Sequence, residues 1–117
     1  MAFGAFLRAY KVVVDKMERD LTRSGVPLVE FQVLFRLAHA PENKMRFRDL
    51  ATSPIVSQSR VSRLMDNMVE KGHVRREVRA EDRRATFAVL TDDGREAFER
   101  TTPPFVSSFY EHFSDKL

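Results

Sequence analysis

The stretch "VSQSRVSRLMDNMVEKGHVRREVRAEDRRATFAVLT", Val56 to Thr91, changes its apolar interval partway along, and that change decides the fold. Val61, Leu64, Met65, Met68 and Val69 follow the i, i+3, i+4, i+7, i+8 spacing of a helix with one buried stripe. Ser57 has the side chain of a good N-cap, and Gly72 supplies a stop after the last apolar position. The opposite face, Gln58, Ser59, Ser62, Arg63 and Asp66, is polar, and its short side chains near the start let the backbone approach something closely. After Gly72 the period shortens. "HVRREV" and "ATFAVLT" are rich in Val, Phe and Thr and flank the charged "RAEDRR", which predicts a two-stranded hairpin with an exposed tip. On the first of those strands alternation sends Arg75 and Arg76 to opposite faces, so at most one of them can look toward a ligand on a given side.

Working outward, the segment before this stretch reads as helices. Phe3, Leu7, Tyr10, Val14, Met17 and Leu21 recur at alternating steps of four and three, an apolar stripe that Gly25 and Pro27 bring to an end. "PLVEFQVLFRLAHAP" opens on Pro27 and closes on Pro41, with Phe31, Leu34, Phe35 and Ala38 at core-facing spacing. "MRFRDLATSP" predicts a short helix held in by Phe47 and Leu50 and stopped ahead of Pro54, because the residue before a proline avoids the helical region. On the far side, Thr91 caps a last helix with Asp92 and Asp93 in its first turn. Pro103 and Pro104 are expected to kink or interrupt that helix before Phe105, Phe109 and Phe113 continue the stripe at steps of four.

Composition narrows the classes. A chain of 117 residues suits one domain, and 43% hydrophobic with 32% charged residues lies in the globular range. There is no cysteine, which removes disulfides, thiolate chemistry and cysteine-ligated zinc. That, with acids in "MAFGAFLRAYKVVVDKMERD" where a secretory leader would be apolar, points to the cytoplasm, and no run approaches the ~20 apolar residues of a membrane span. The net charge is only +3, but Asn43 to Arg84 holds eleven Lys and Arg against six Asp and Glu. A regional excess of that kind is how a polyanion-binding face looks in sequence, and also how one solvated helix beside one charged loop looks.

Element order then brings the basic residues together. A short helix, a turn and a second helix with a polar N-terminal half form a helix-turn-helix, and a hairpin after it is the wing of the winged variant. The second helix fits the DNA major groove, where Gln and Arg read base edges and Ser hydroxyls hold phosphates. Arginines at the hairpin tip reach the adjoining minor groove. Taken singly, Arg60 and Arg63 read better as solvated side chains, and "EDRR" as a charged tip that keeps an edge soluble. Jointly, Ser57, Gln58, Ser59, Arg60, Ser62 and Arg63 lie in the expected half of the expected helix, and Arg79, Arg83 and Arg84 in the loop that should follow it.

Residues 46–98, "RFRDLATSPIVSQSRVSRLMDNMVEKGHVRREVRAEDRRATFAVLTDDGREAF", resemble the MarR family of bacterial transcriptional regulators, most specifically in "DRR" followed by an apolar strand, Leu90-Thr91 and Gly94. The resemblance implies a mainly α (α+β) winged helix-turn-helix in one domain over residues 1–117, with a DNA-binding core at 27–91, dimerisation helices at 1–24 and 92–117, and a two-stranded β wing. It implies that Ser57 to Arg63 open a recognition helix spanning 57–71, and that in the wing, 79–84, Asp82 orients an arginine by an ion pair, with Arg84 at the minor groove and Arg83 beside it. It further implies a homodimeric repressor on a pseudo-palindromic operator of double-stranded DNA, released by a small aromatic or acidic effector. The family normally continues past "YEHFSDKL" into a further helix that completes the dimer interface, which this sequence does not contain.

Two other classes of function fit the sequence less well. An enzyme would need a site inventory that the chain lacks: His39, His73 and His112 are far apart, with no HExxH, P-loop, glycine fingerprint or GxSxG, and N-capping accounts for Ser57. No metal or cofactor is expected. A winged helix that binds protein instead of DNA would expose apolar or acidic residues on the second helix, where this chain offers Gln58, Ser59, Ser62 and Arg63.

Overall fold

The computed structural model describes residues 2–50, 58–79 and 81–113, with only the backbone described for residues 2, 3, 6, 7, 58, 59, 82–84 and 113. Five helices and three strands follow one another as α1 (Ala2–Leu21), α2 (Leu28–Ala38), β1 (Lys44–Arg46), α3 (Phe47–Leu50), α4 (Gln58–Glu70), β2 (Val74–Arg79), β3 (Asp82–Leu90) and α5 (Asp92–Phe113). The chain divides into two compact units, one formed by residues 29–98 and the other by residues 1–28 with 99–117.

In the unit of residues 29–98 the helical period of the opening stretch is realised as α4. Its buried positions are Val61, Leu64, Met65 and Met68, with Val69 half-buried. The two methionines are wholly buried, and each side chain removed from water contributes about 1.5–3 kcal/mol. Gly72 ends the helix in the left-handed conformation, φ +80°, and the amides of Gly72 and His73 return to the carbonyls of Val69 and Met68. β2 and β3 pair antiparallel from Val74 opposite Leu90 to Val78 opposite Thr86. The sheet has three strands rather than two, in the order β1-β3-β2, because Lys44, Met45 and Arg46 pair with Val89, Ala88 and Phe87 on the free edge of β3. "KMR" is too short for any period to show, and only the edge of β3 makes it a strand.

Gly72, His73, Thr91 and Gly94 meet where α4, β3 and α5 come together. The Thr91 amide donates to the His73 carbonyl at 3.2 Å, the Thr91 hydroxyl donates to the Gly72 carbonyl at 2.5 Å, and the Gly94 amide donates to that hydroxyl at 3.0 Å. Thr91 is therefore an N-cap for α5 and a tie to the end of α4 at once. A Cβ on Gly94 would run into the His73 carbonyl oxygen and come within 2.8 Å of Leu90 Cδ1. Opposite this junction, Asn43 Nδ2 donates to the Leu37 and Ala38 carbonyls, closing α2, and its Oδ1 accepts from Arg95 Nη2 of α5 at 2.9 Å.

In the other unit, α1 ends in a 3-10 turn, Thr22–Ser24, closed by Gly25 at φ +76°. Its buried cluster is Val13, Met17, Leu21 and Leu28, with Val14 and Phe105 packed against it. Asp20 Oδ2 accepts from the Ser108 hydroxyl at 2.7 Å and lies 3.0 Å from His112 Nε2. Those two hydrogen bonds, first Ser108 and then His112, hold the Asp20 carboxyl below the usual carboxylate range.

Three expectations are corrected here. The α1 stripe runs through Val13 while Tyr10 is exposed, since the valines Val12, Val13 and Val14 leave the stripe's phase open and the helix settles one residue round. Phe35 is exposed and Val33 and Leu37 are buried, because α2 is covered on more than one side and its face is not a single stripe. Pro103 and Pro104 lie inside α5, so they do not interrupt it. Proline's fixed φ suits a helix, but each ring removes a donor to the Glu99 or Arg100 carbonyl and crowds that carbonyl, and the turns on either side carry the helix past.

Gly94→Ala is expected to cost about 3 kcal/mol or more, since the atom to be displaced is backbone. Urea denaturation measures this, and a loss below ~1 kcal/mol would show that the junction yields.

Candidate nucleic-acid interface

The expected site residues fall into three groups. Arg60, Ser62 and Arg63 are exposed on α4, on the side away from its buried stripe. Ser57 lies outside the described residues, as do the side chains of Gln58 and Ser59, whose backbone forms the first turn of α4. In the hairpin, Arg79 ends β2 opposite Asp82. Asp82, Arg83 and Arg84 belong to β3 rather than to a loop, and their side chains lie outside the described part.

The register explains why the tip is shorter than "RAEDRR" suggests. Val78 faces Thr86, but its neighbour Arg79 faces Asp82, so β3 advances four residues where β2 advances one. The three extra residues, Arg83, Arg84 and Ala85, form a bulge, and a bulge turns side chains away from simple alternation. The Arg79 guanidinium lies 4.8 Å from the Phe87 ring centroid, with Arg46 at 5.6 Å and Lys44 at 5.7 Å from the same ring. Three cations, two from β1 and one from β2, thus lie around one buried phenylalanine of β3. Of the described acids, Glu42 and Glu77 pair with Lys44, at 3.3 and 3.5 Å. Arg46 adds a half-buried cation that sequence did not single out, while the charge of Lys44 is met by its two acids.

Polar clamps from α2 hold the helices of this surface. Arg36 donates from Nη1 to the Leu50 carbonyl at 3.3 Å and from Nη2 to the Asp49 carbonyl at 3.0 Å, fixing the end of α3 just ahead of residues 51–57. Glu30 is buried, and its carboxylate accepts two bonds from Lys71 Nζ, at 2.9 and 3.1 Å, directly after the end of α4. A buried acid without its cation would be costly, so Lys71 is held where the C-terminal dipole of α4 also favours a positive charge. Sequence reasoning missed both clamps. Glu30 interrupting an apolar helix was the available signal for one of them.

A short helix, α3, and an exposed-faced helix, α4, followed by a hairpin with a basic end, is winged helix-turn-helix geometry. Residues 24–85 match the model of the MarR family. The chain belongs to the MarR family. Its fold superposes on that of AbsC, a MarR family transcriptional regulator from Streptomyces coelicolor, with a TM-score of 0.90 and 34% identity, over 99% of this chain and 78% of that one. Sco3205, a MarR family regulator of the same organism crystallised in complex with DNA, matches with a TM-score of 0.90 and 32% identity, over 99% of this chain and 74% of that one. In sequence, the HTH-type transcriptional repressor YetL of Bacillus subtilis is 26% identical over 103 residues, 86% of this MarR chain and 62% of YetL. The chain spans 62–64% of the length of the curated Bacillus relatives YetL and YkoM. Among the described residues no helix is long and apolar enough to cross a membrane.

Lys71→Met should destabilise the fold by about 1–3 kcal/mol, less than a fully buried pair because the lysine is partly exposed, and adding Glu30→Gln should recover most of the loss. Equal denaturation midpoints for wild type and Lys71→Met would show that Glu30 does not depend on its partner.

Proposed function

We propose that this MarR-family protein is a sequence-specific regulator of transcription that binds double-stranded DNA as a homodimer and acts as a repressor. The observation that carries this is the division of α4: Val61, Leu64, Met65 and Met68 are buried, while Arg60, Ser62 and Arg63 stand on the exposed side. A helix so divided can enter the major groove without uncovering its core, and arginine there matches the paired acceptors of guanine. The proposal includes Ser57, Gln58 and Ser59 as further contacts of the recognition helix, and Arg79, Asp82, Arg83 and Arg84 as the minor-groove contacts of the wing. The relative crystallised with DNA, at 32% identity over almost the whole chain, supports the same function, and the repressor YetL supports its sign.

The homodimer is supported by the unit of residues 1–28 and 99–117. Tyr10, Val12, Val106, Phe109 and Tyr110 are all exposed there, with Tyr110 at 63%. Apolar and aromatic side chains gathered on one unit are commonly covered by a partner. A twofold dimer places two recognition helices about one helical turn apart, which predicts an operator of two inverted half-sites. Release by a small aromatic or acidic effector, and action in the cytoplasm, complete the proposal, with family membership as their support.

Selection of bound sequences from a random duplex library should yield an inverted repeat with half-sites centred about 10 base pairs apart, carried by two protomers per duplex. Arg63→Ala should then weaken the selected duplex by about 1–3 kcal/mol more than a random one, whereas Arg84→Ala should weaken both alike. Enrichment of no sequence would contradict specific recognition and favour a winged helix that binds protein.

A further inference from the structure

The pair of arginines on β2 has no part in the interface described so far. Arg75 is exposed, 3.7 Å from Glu77 on its own strand. Arg76 looks the other way, toward α3 and α4. Its Nη2 donates to Asp66 Oδ1, and its guanidinium lies 5.9 Å from the centroid of the Phe47 ring. One side chain of the wing strand therefore touches both helices of the helix-turn-helix. Asp66 is exposed on α4 one turn beyond Ser62 and Arg63, and it is the sole acid between Gln58 and Asn67.

We propose that Arg76 is a positioning residue that neutralises Asp66, so that the stretch of α4 from Gln58 to Asn67, which carries Arg60 and Arg63, presents no bare carboxylate to the phosphates. This role rests on the DNA-binding function proposed above. A free carboxylate in that place would oppose a polyanion, and within a Debye length of about 8 Å at physiological salt its repulsion is felt. Paired with Arg76, the same carboxylate becomes an anchor that fastens β2 to α4 while Phe47 covers the guanidinium. The cation is thus spent on the protein and is not a DNA contact, although it lies among arginines that are.

Arg76→Met keeps the aliphatic stem over Phe47 and removes the charge. It is expected to weaken binding to selected and random duplexes alike, by about three- to fivefold, the size of one exposed charge effect. Asp66→Asn should bind within about twofold of wild type or more tightly, and the double variant should return to the level of Asp66→Asn, which a charge on DNA could not do. Melting temperatures of the four proteins establish that each is folded, and Arg76→Gln stands in if the methionine variant melts early. A double variant as weak as Arg76→Met would show that Arg76 contacts DNA itself. Loss of preference at a single base position in Asp66→Asn would show that Asp66 reads a base, and would also overturn the proposal. A wild-type chain that binds no duplex overturns both this role and the DNA-binding function, whereas wild-type binding with an unrescued double variant overturns this role alone.

Discussion

The close approach of the Gly94 backbone to the His73 carbonyl is the constraint on which the unit of residues 29–98 depends. It is possible only without a Cβ, and it brings the first turn of α5 against the turn that ends α4. Thr91 closes the junction with three hydrogen bonds, to Gly72, His73 and Gly94. The turn after α4, the residue that follows β3 and the first turn of α5 are consequently set by one another. A shift at any of them moves the exposed face of α4 relative to the hairpin, and the proposed groove recognition would tolerate little such movement.

Charge in this unit is sorted by the same packing. Glu30 is buried and satisfied by Lys71, Asp66 is matched by Arg76, and Glu77 is shared by Lys44 and Arg75. The exposed cations of α4 are Arg60 and Arg63, with Glu70 exposed at its far end, and Arg79 is exposed at the hairpin end. With a net charge of only +3, the chain concentrates its local excess by pairing Glu30, Asp66 and Glu77 within the unit while Arg60, Arg63 and Arg79 face outward, as the proposed binding of a polyanion requires.

Much of this was legible in the sequence. The helix of Val61 to Val69, its stop at Gly72, the hairpin after it and the cap at Thr91 follow from periods and turn chemistry that act locally. What was not legible depends on contacts far apart in the chain. β1 exists because β3 has a free edge, Arg36 meets Asp49 and Leu50 across 13 and 14 residues, and Lys71 meets Glu30 across 41. Arg76 shows the limit most clearly: alternation said that it and Arg75 point apart, yet only the packed structure says that one of them turns toward Asp66. The prolines of α5 misled because their effect was judged on two lost hydrogen bonds, while the turns on either side carry the helix on. For the candidate site, residue type and position on α4 were readable from spacing, and the bulge that draws Asp82, Arg83 and Arg84 into β3 was not.

Whether the outward arginines meet phosphates is tested most directly by the salt dependence of duplex binding. Titrating the wild-type protein against a duplex between about 50 and about 200 mM salt should give an affinity that falls steeply and linearly on logarithmic axes, with a slope of several units that reports the phosphates neutralised. No binding at the low-salt end, or an affinity that stays flat across the range, would contradict the account.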